Sequence, residues 1–273
     1  MHTLLSNYPM NIETTKSTAR LIEIFSAIQG EGLNVGTRQI FIRFAFCDLR
    51  CHYCDSAHTW NAPNTCRIEK APGSREFEIH PNPVSLPTLI EWVKRQNIHR
   101  LHDSISLTGG EPLLHSSFLI DFLPKVRSVT SLPIYLETGG HRPEQLTKIL
   151  PYLDSVGMDL KLPSTSGESH WQAHKQFLKI CNRAQLEVFV KIVISQQTSW
   201  SDLEQAALLI KDINPKILVF LQPVTPLEPD KVFADKKVFA PFPEQVLNWQ
   251  ASLKLFLDRV RVVPQTHKFM DQL

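Results

Sequence analysis

The stretch Phe41-Ile-Arg-Phe-Ala-Phe-Cys47-Asp-Leu-Arg-Cys51-His-Tyr-Cys54-Asp-Ser56 constrains this chain more than any other. Three of the five cysteines fall inside it, spaced C-x3-C-x2-C, directly after a run that reads as a buried strand. Three soft donors on one short loop make a metal-ligand constellation, because folding brings them together at little loop-closure cost. An odd cysteine total with three crowded together does not fit a disulfide framework. With His52 or His58 as a fourth donor the loop also suits a structural Cys3His zinc site, and a zinc-stabilised binding protein stays open at this point.

Beyond the loop the chain alternates apolar runs of strand length with helical periods. The runs are Leu21–Ile28, Gln39–Phe46, Ser104–Thr108, Pro133–Glu137, Asp154–Asp159, Leu186–Ile194, Lys216–Leu221 and Arg259–Val263. Helices are expected from Ser85 or Pro87, over 117–127, near 143–150, near 168–182, from a Ser201 cap to Ile213, and from Pro243 to Leu257. About six strands alternating with helices is the pattern of an α/β fold, a parallel sheet or an incomplete barrel. Residues 1–20 read as a polar tail, and 21–273 as one domain. Residues 61–84, with Pro63, Pro72, Pro81 and Pro83 and no period, read as a structureless insertion or lid.

A net charge of +2 on 273 residues argues for neither a nucleic-acid nor a membrane partner. No apolar run is long enough to span a bilayer, and the polar N-terminus has no apolar signal core, so a cytoplasmic protein is expected. In a parallel α/β fold the loops after the strands share one face. The cysteine loop, Gly109-Gly110-Glu111, Glu137-Thr138, Asp159-Leu160-Lys161 and Gln222-Pro223 all sit at strand ends and are expected to meet at one cavity.

The cysteine spacing together with Thr108-Gly109-Gly110-Glu111-Pro112 resembles the radical S-adenosylmethionine enzymes. The resemblance implies an incomplete parallel (β/α)6-type barrel and a [4Fe-4S] cluster on Cys47, Cys51 and Cys54. The fourth iron is left for S-adenosylmethionine, whose cleavage yields a radical that abstracts a substrate hydrogen. By the same resemblance Tyr53, Asp55, Gly109, Gly110, Glu111, Glu137, Thr138, Asp159, Lys161, Gln222 and Pro223 hold S-adenosylmethionine. An electron donor such as flavodoxin or ferredoxin is implied as a partner.

The stretches Ile24–Gly32, Phe41-Ile-Arg43, Cys54-Asp55-Ser56 with Thr59-Trp60, and Pro264-Gln-Thr-His-Lys268 are together similar to the 7-carboxy-7-deazaguanine synthase family. The implied reaction contracts 6-carboxy-5,6,7,8-tetrahydropterin to 7-carboxy-7-deazaguanine with loss of ammonia, towards 7-deazapurines such as queuosine. A glycyl-radical activase or another radical enzyme is the alternative within that chemistry. The implied substrate residues are Ile28, Gln29, Gly30, Glu31, Arg43, Thr108, Gln265 and His267, with Arg43 pairing a carboxylate or else an ion pair with Asp48 or Glu31. Family members use Mg2+ and are often homodimers. Ser56 stands where threonine is usual beside the magnesium, and Phe46 where glycine is usual. Cys66 and Cys181 are expected to be bystanders.

Overall fold

The computed structural model describes residues 17–226 and 238–272. It opens with β1 (Thr18–Ala19), β2 (Leu21–Ile28), β3 (Arg38–Phe44), β4 (Thr65–Glu69), β5 (Phe77–Pro81) and β6 (Val84–Ser85). Then strands and helices alternate: α1 (Leu86–Gln96), β7 (Ser104–Gly109), α2 (Ser116–Val129), β8 (Ile134–Thr138), α3 (Pro143–Ile149), β9 (Ser155–Asp159), α4 (Pro163–Ser166), α5 (Trp171–Arg183), β10 (Glu187–Ile194) and α6 (Trp200–Ile213). The chain continues through β11 (Leu218–Pro223), α7 (Pro243–Leu253), β12 (Val260–Val262) and α8 (Thr266–Phe269). No helix among the described residues is long and apolar enough to cross a membrane.

One ten-stranded sheet runs in the order β12-β11-β10-β9-β8-β7-β3-β2-β4-β5. From β3 to β12 every pairing is parallel, one strand more than the alternation suggested. The end strands β12 and β5 are not neighbours, so the barrel is open. Alternation along each strand sends one set of side chains to the helices and the other to the concave face. Ile105, Leu107, Leu136, Val156, Met158, Val190, Ile192 and Leu221 join the helix residues Leu89, Phe122, Leu146, Phe177 and Leu203 in the main core. Tyr135, Phe189 and Phe220 form a separate aromatic cluster.

Residues 61–84 are ordered structure, contrary to the reading of a structureless lid. β4 and β5 pair antiparallel and extend the sheet beyond β2, while β6 pairs with β1, so Thr18 and Ala19 belong to the fold rather than to a tail. The prolines that hid the hairpin lie outside β4, and Pro81 closes β5 on the sheet edge, where a missing N–H costs nothing. Residues 1–16 of the expected tail, and most of the proline-rich loop after β11, lie outside the described residues.

Helix ends follow local chemistry. Ser85 caps α1, its hydroxyl accepting from the Thr88 N–H at 3.4 Å. The cap of α6 is Ser199, which accepts from the Asp202 N–H at 3.3 Å; Ser201 already lies in the first turn. α7 ends at Leu253, short of Leu257, because the Leu255 and Phe256 N–H groups bond back only three residues, to Ser252 and Leu253.

Candidate active site

The cysteine loop leaves the end of β3 and is positioned through its backbone. The Gly110 N–H donates to the Phe44 carbonyl at 3.1 Å and the Glu111 N–H to the Phe46 carbonyl at 2.8 Å. This contact explains the paired glycines: a Cβ on Gly109 would lie 2.2 Å from the Phe44 oxygen, and one on Gly110 2.1 Å from the Phe46 oxygen. Gly109 also has φ +130°, open to glycine alone. From the other side the His52 N–H donates to the Ser166 carbonyl at 3.2 Å. The Arg50 N–H donates to Glu168 Oε1 at 2.9 Å. Asp48 is held by His141 at 3.0 Å and by Arg142. These partners outweigh burial and keep its carboxyl well below the usual range. Phe46 takes φ +71° to bring Cys47 into place.

All three thiols are free and line a single cavity of ≈ 680 Å³. Burial pushes Cys47 up to about 12 and Cys54 up to about 11, and raises Cys51 as well. The Lys161 ammonium acts against that shift at all three thiols without overcoming it, and an iron–sulfur cluster binds cysteines of this kind as thiolates. Among the described residues no set of three or more His, Cys, Asp or Glu side chains is arranged to hold a single metal ion.

Glu111 turns inward beneath the loop. Its carboxylate accepts from the Leu113 N–H at 3.0 Å, the Thr138 hydroxyl at 2.8 Å and the Gly139 N–H at 2.9 Å, tying β7 to β8. Tyr53 lies against Lys161, whose ammonium is 5.2 Å from the ring centroid. Lys161 pairs with Asp159 at 2.8 Å.

The opposite wall is a chain of paired charges. Lys191, on β10, pairs with Glu31 and sits 3.4 Å from Asp159. Gln265 donates to Glu31 at 2.7 Å and to Asp55 at 2.9 Å, and Lys268 also reaches Asp55 at 2.9 Å. Burial alone would raise Glu31 and Asp55. The ammonium groups of Lys191 and Lys268 outweigh it, and both carboxyls stay below their ordinary values. The Thr266 N–H donates to the Gly30 carbonyl at 3.0 Å, and a Cβ on Gly30 would strike the His267 ring at 2.2 Å. Burial lowers the His267 imidazole below its ordinary value, against the pull of Glu31 and Asp55.

A row of cavity-lining side chains crosses five strands. Register pairs Arg67 (β4) with Glu23 (β2), Glu23 with Arg43 (β3) and Arg43 with Thr108 (β7). Thr108 donates to Glu137 Oε2 at 2.8 Å, and Glu137 Oε1 accepts from Gln29 at 2.8 Å and from Tyr135 at 3.2 Å. Arg43 is thus ion-paired, with Glu23 at 2.7 Å rather than with Asp48 or Glu31.

Every site residue expected from the sequence lines this cavity except Pro223. Pro223 closes β11 opposite Ile194, and the wall there is built by Gln222 and Val224. Glu137 was expected on the cofactor side, yet its partners Gln29 and Thr108 belong to the expected substrate wall. The sequence reading missed Glu23, Arg67, Tyr135, Lys191 and Lys268, all in the lining. Lys191 had a signal, a lysine inside Val-Phe-Val-Lys-Ile-Val-Ile, because a buried strand tolerates a charge only when it is paired.

The sequence pattern of the Radical SAM superfamily matches residues 41–210, and the chain belongs to that superfamily. A 7-carboxy-7-deazaguanine synthase of Geobacter sulfurreducens is 42% identical over 95% of this chain and 100% of its own length. One of Thermococcus kodakarensis is 32% identical over 76% of this chain and 85% of its own. The chain is a member of the 7-carboxy-7-deazaguanine synthase family. The crystal structure of QueE from Escherichia coli shares the fold, with a TM-score of 0.57 at 18% identity over 91% of this chain and 94% of that one. An anSMEcpe structure with bound AdoMet does so at 0.54 and 15% identity, over 80% and 60%. Membership sets aside the zinc-binding module.

Proposed function

We propose that this chain converts 6-carboxy-5,6,7,8-tetrahydropterin to 7-carboxy-7-deazaguanine with release of ammonia, a lyase step towards queuosine-type 7-deazapurines. The observation that carries the reading is the cavity itself. The thiols of Cys47, Cys51 and Cys54 face it from one side, while Gln29, Glu31, Arg43 and Thr108 face it from the other. Bound here, a [4Fe-4S] cluster and S-adenosylmethionine would supply the radical chemistry for the ring contraction.

Cys47, Cys51 and Cys54 would hold the cluster, and Glu111 keeps Thr138 and Gly139 in position for the cofactor. Tyr53, Lys161 and Asp159 form its neighbouring wall. Gln29 and Glu31 read the guanine-like edge of the pterin, a buried hydrogen-bonding surface that rejects analogues lacking the group. Glu137 fixes Gln29 and Thr108 from below. Arg43 meets the substrate carboxylate, and Gln265 and His267 exclude water from above. Magnesium fits beside Ser56, whose hydroxyl donates to Asp55 at 3.1 Å. One protein oxygen is consistent with an ion that keeps waters and ligand oxygens. The setting is cytoplasmic, with flavodoxin or ferredoxin as reductant and a homodimer as the assembly.

The test is anaerobic protein with reconstituted iron, incubated with carboxypterin, S-adenosylmethionine, magnesium and dithionite. Carboxydeazaguanine and ammonia are expected, with a rate that falls on chelation and returns with magnesium. Deoxyadenosine without carboxydeazaguanine would reject the substrate and keep the class of chemistry.

A further inference from the structure

We infer that Arg67, supplied by the β4–β5 hairpin, is a specificity-determining residue that completes an anion subsite for the substrate carboxylate. The inference rests on the reaction proposed above and deepens it. The need for a second cation is plain from charge. Arg43 is bonded to Glu23 at 2.7 Å, and an Arg–Glu pair is neutral overall. An incoming carboxylate would meet the repulsion of Glu23 as soon as it met the attraction of Arg43. Arg67 changes that sum: its Nε donates to Glu23 Oε2 at 2.7 Å, while Arg43 Nε donates to Oε1. Two guanidiniums on one carboxylate leave one net positive charge on this group of three side chains, with Glu137 lying beyond it on the far side of Thr108. Burial opposes the ionised Glu23, and the two arginines more than compensate, so it remains the permanent partner of both.

Geometry agrees. Arg67, Glu23, Arg43 and Thr108 occupy one register row across β4, β2, β3 and β7, hence one face of the sheet, and all four line the cavity. Two strand spacings separate Arg67 from Arg43, roughly 10 Å between backbones, which two long side chains can close around one ligand. Both guanidiniums lie over aromatic rings, Arg67 over Phe77 at 4.2 Å and Arg43 over Phe25 at 5.3 Å. Among the described residues Arg43 reaches Glu23 through Nε, which leaves its terminal nitrogens for a second carboxylate. A planar fork of this kind suits two-oxygen recognition.

The test compares Arg67→Gln and Arg67→Lys with the unmodified protein, all cluster-loaded. Turnover with carboxypterin is measured beside equilibrium binding of carboxypterin and of tetrahydropterin, which lacks the carboxylate. Arg67→Gln is expected to raise the KM for carboxypterin about tenfold or more, the loss of one charge-assisted contact. The KM for S-adenosylmethionine and the affinity for tetrahydropterin should not move, and Arg67→Lys should recover part of the loss. An unchanged KM for carboxypterin overturns the inference. So does equal weakening of both pterins, the sign that Arg67 only steadies Glu23. If the unmodified protein forms no carboxydeazaguanine, the proposed reaction fails instead, a result separate from either outcome in the variants.

Discussion

On the cysteine side of the cavity, position comes largely from backbone: Gly109 and Gly110 press against the Phe44 and Phe46 carbonyls, and Cys47 and Cys54 have backbone hydrogen bonds at Leu49 and Ser56. On the opposite side, position comes from charge, with Glu31, Lys191, Asp159, Gln265, Asp55 and Lys268 satisfying one another. A wall of buried thiols held by backbone groups keeps its soft donors for a guest. A wall whose groups are already paired is rigid beforehand and admits a ligand only through the donors left over. The first kind fails all at once when a donor is lost, and the second loses stability by degrees.

That contrast can be broken or sharpened at four places. Cys51→Ala is expected to abolish both iron loading and product formation, whereas Cys66→Ala, in β4 and outside the cavity, should leave iron content unchanged; equal losses in both would make the cysteine loop unexceptional. On the charged wall, Glu31→Ala strands Lys191 with only the longer contact to Asp159. Chemical unfolding of the apoprotein should show a loss of about 2–3 kcal/mol, since removing one partner of a buried pair exposes the desolvation cost of the other. A double variant with Lys191→Met should recover much of it.

The third prediction concerns acid. His174, fully buried and bonded to the Gly139 carbonyl at 3.0 Å, is lowered by burial to about 3, and His102 to about 4. Both stay neutral in the fold while the unfolded chain takes up protons below its ordinary 6.5. Stability is therefore complete above that pH and falls as pH drops, by at most about 1.4 kcal/mol per unit for each. Glu23 and Glu31 add their loss only below 4.5, their ordinary value. Thermal midpoints from pH 7.5 to 4 check this, and His174→Gln should flatten the upper part of the slope. The smallest effect is expected at Phe46. With φ +71° its side chain sits in a region glycine enters freely, so Phe46→Gly should stabilise the apoprotein by up to about 1 kcal/mol, offset by its lost stacking on His115. A destabilised variant would show that the ring matters more than the torsion.

The cysteine wall was largely legible in the sequence because its information is local: three donors in eight residues and a Gly-Gly-Glu at the next strand end. Phe46 stood out as a departure, but its torsion could not be read. The charged wall was legible only in part. Gln29, Glu31 and Gln265 were found, yet Lys191 was passed over inside an apolar strand, and Lys268 was quoted in the terminal stretch without a role. The arginine row was hidden for a different reason. It exists only because β4 pairs with β2, and a proline-rich segment does not announce which strand it will join. The helical alternation behind the parallel sheet was clear, since each β–α unit carries its own period.

The bond between Gly30 and Thr266 joins positions 236 apart in sequence. A ribosome delivers these partners in order, so the first loop of the barrel is made long before the segment that roofs it. During that interval Glu31 and Asp55 have no Gln265 between them, and the cysteine loop stands open on that flank. That flank is complete only when residues 264–268 are in place, because Gln265 is the side chain that joins Glu31 to Asp55.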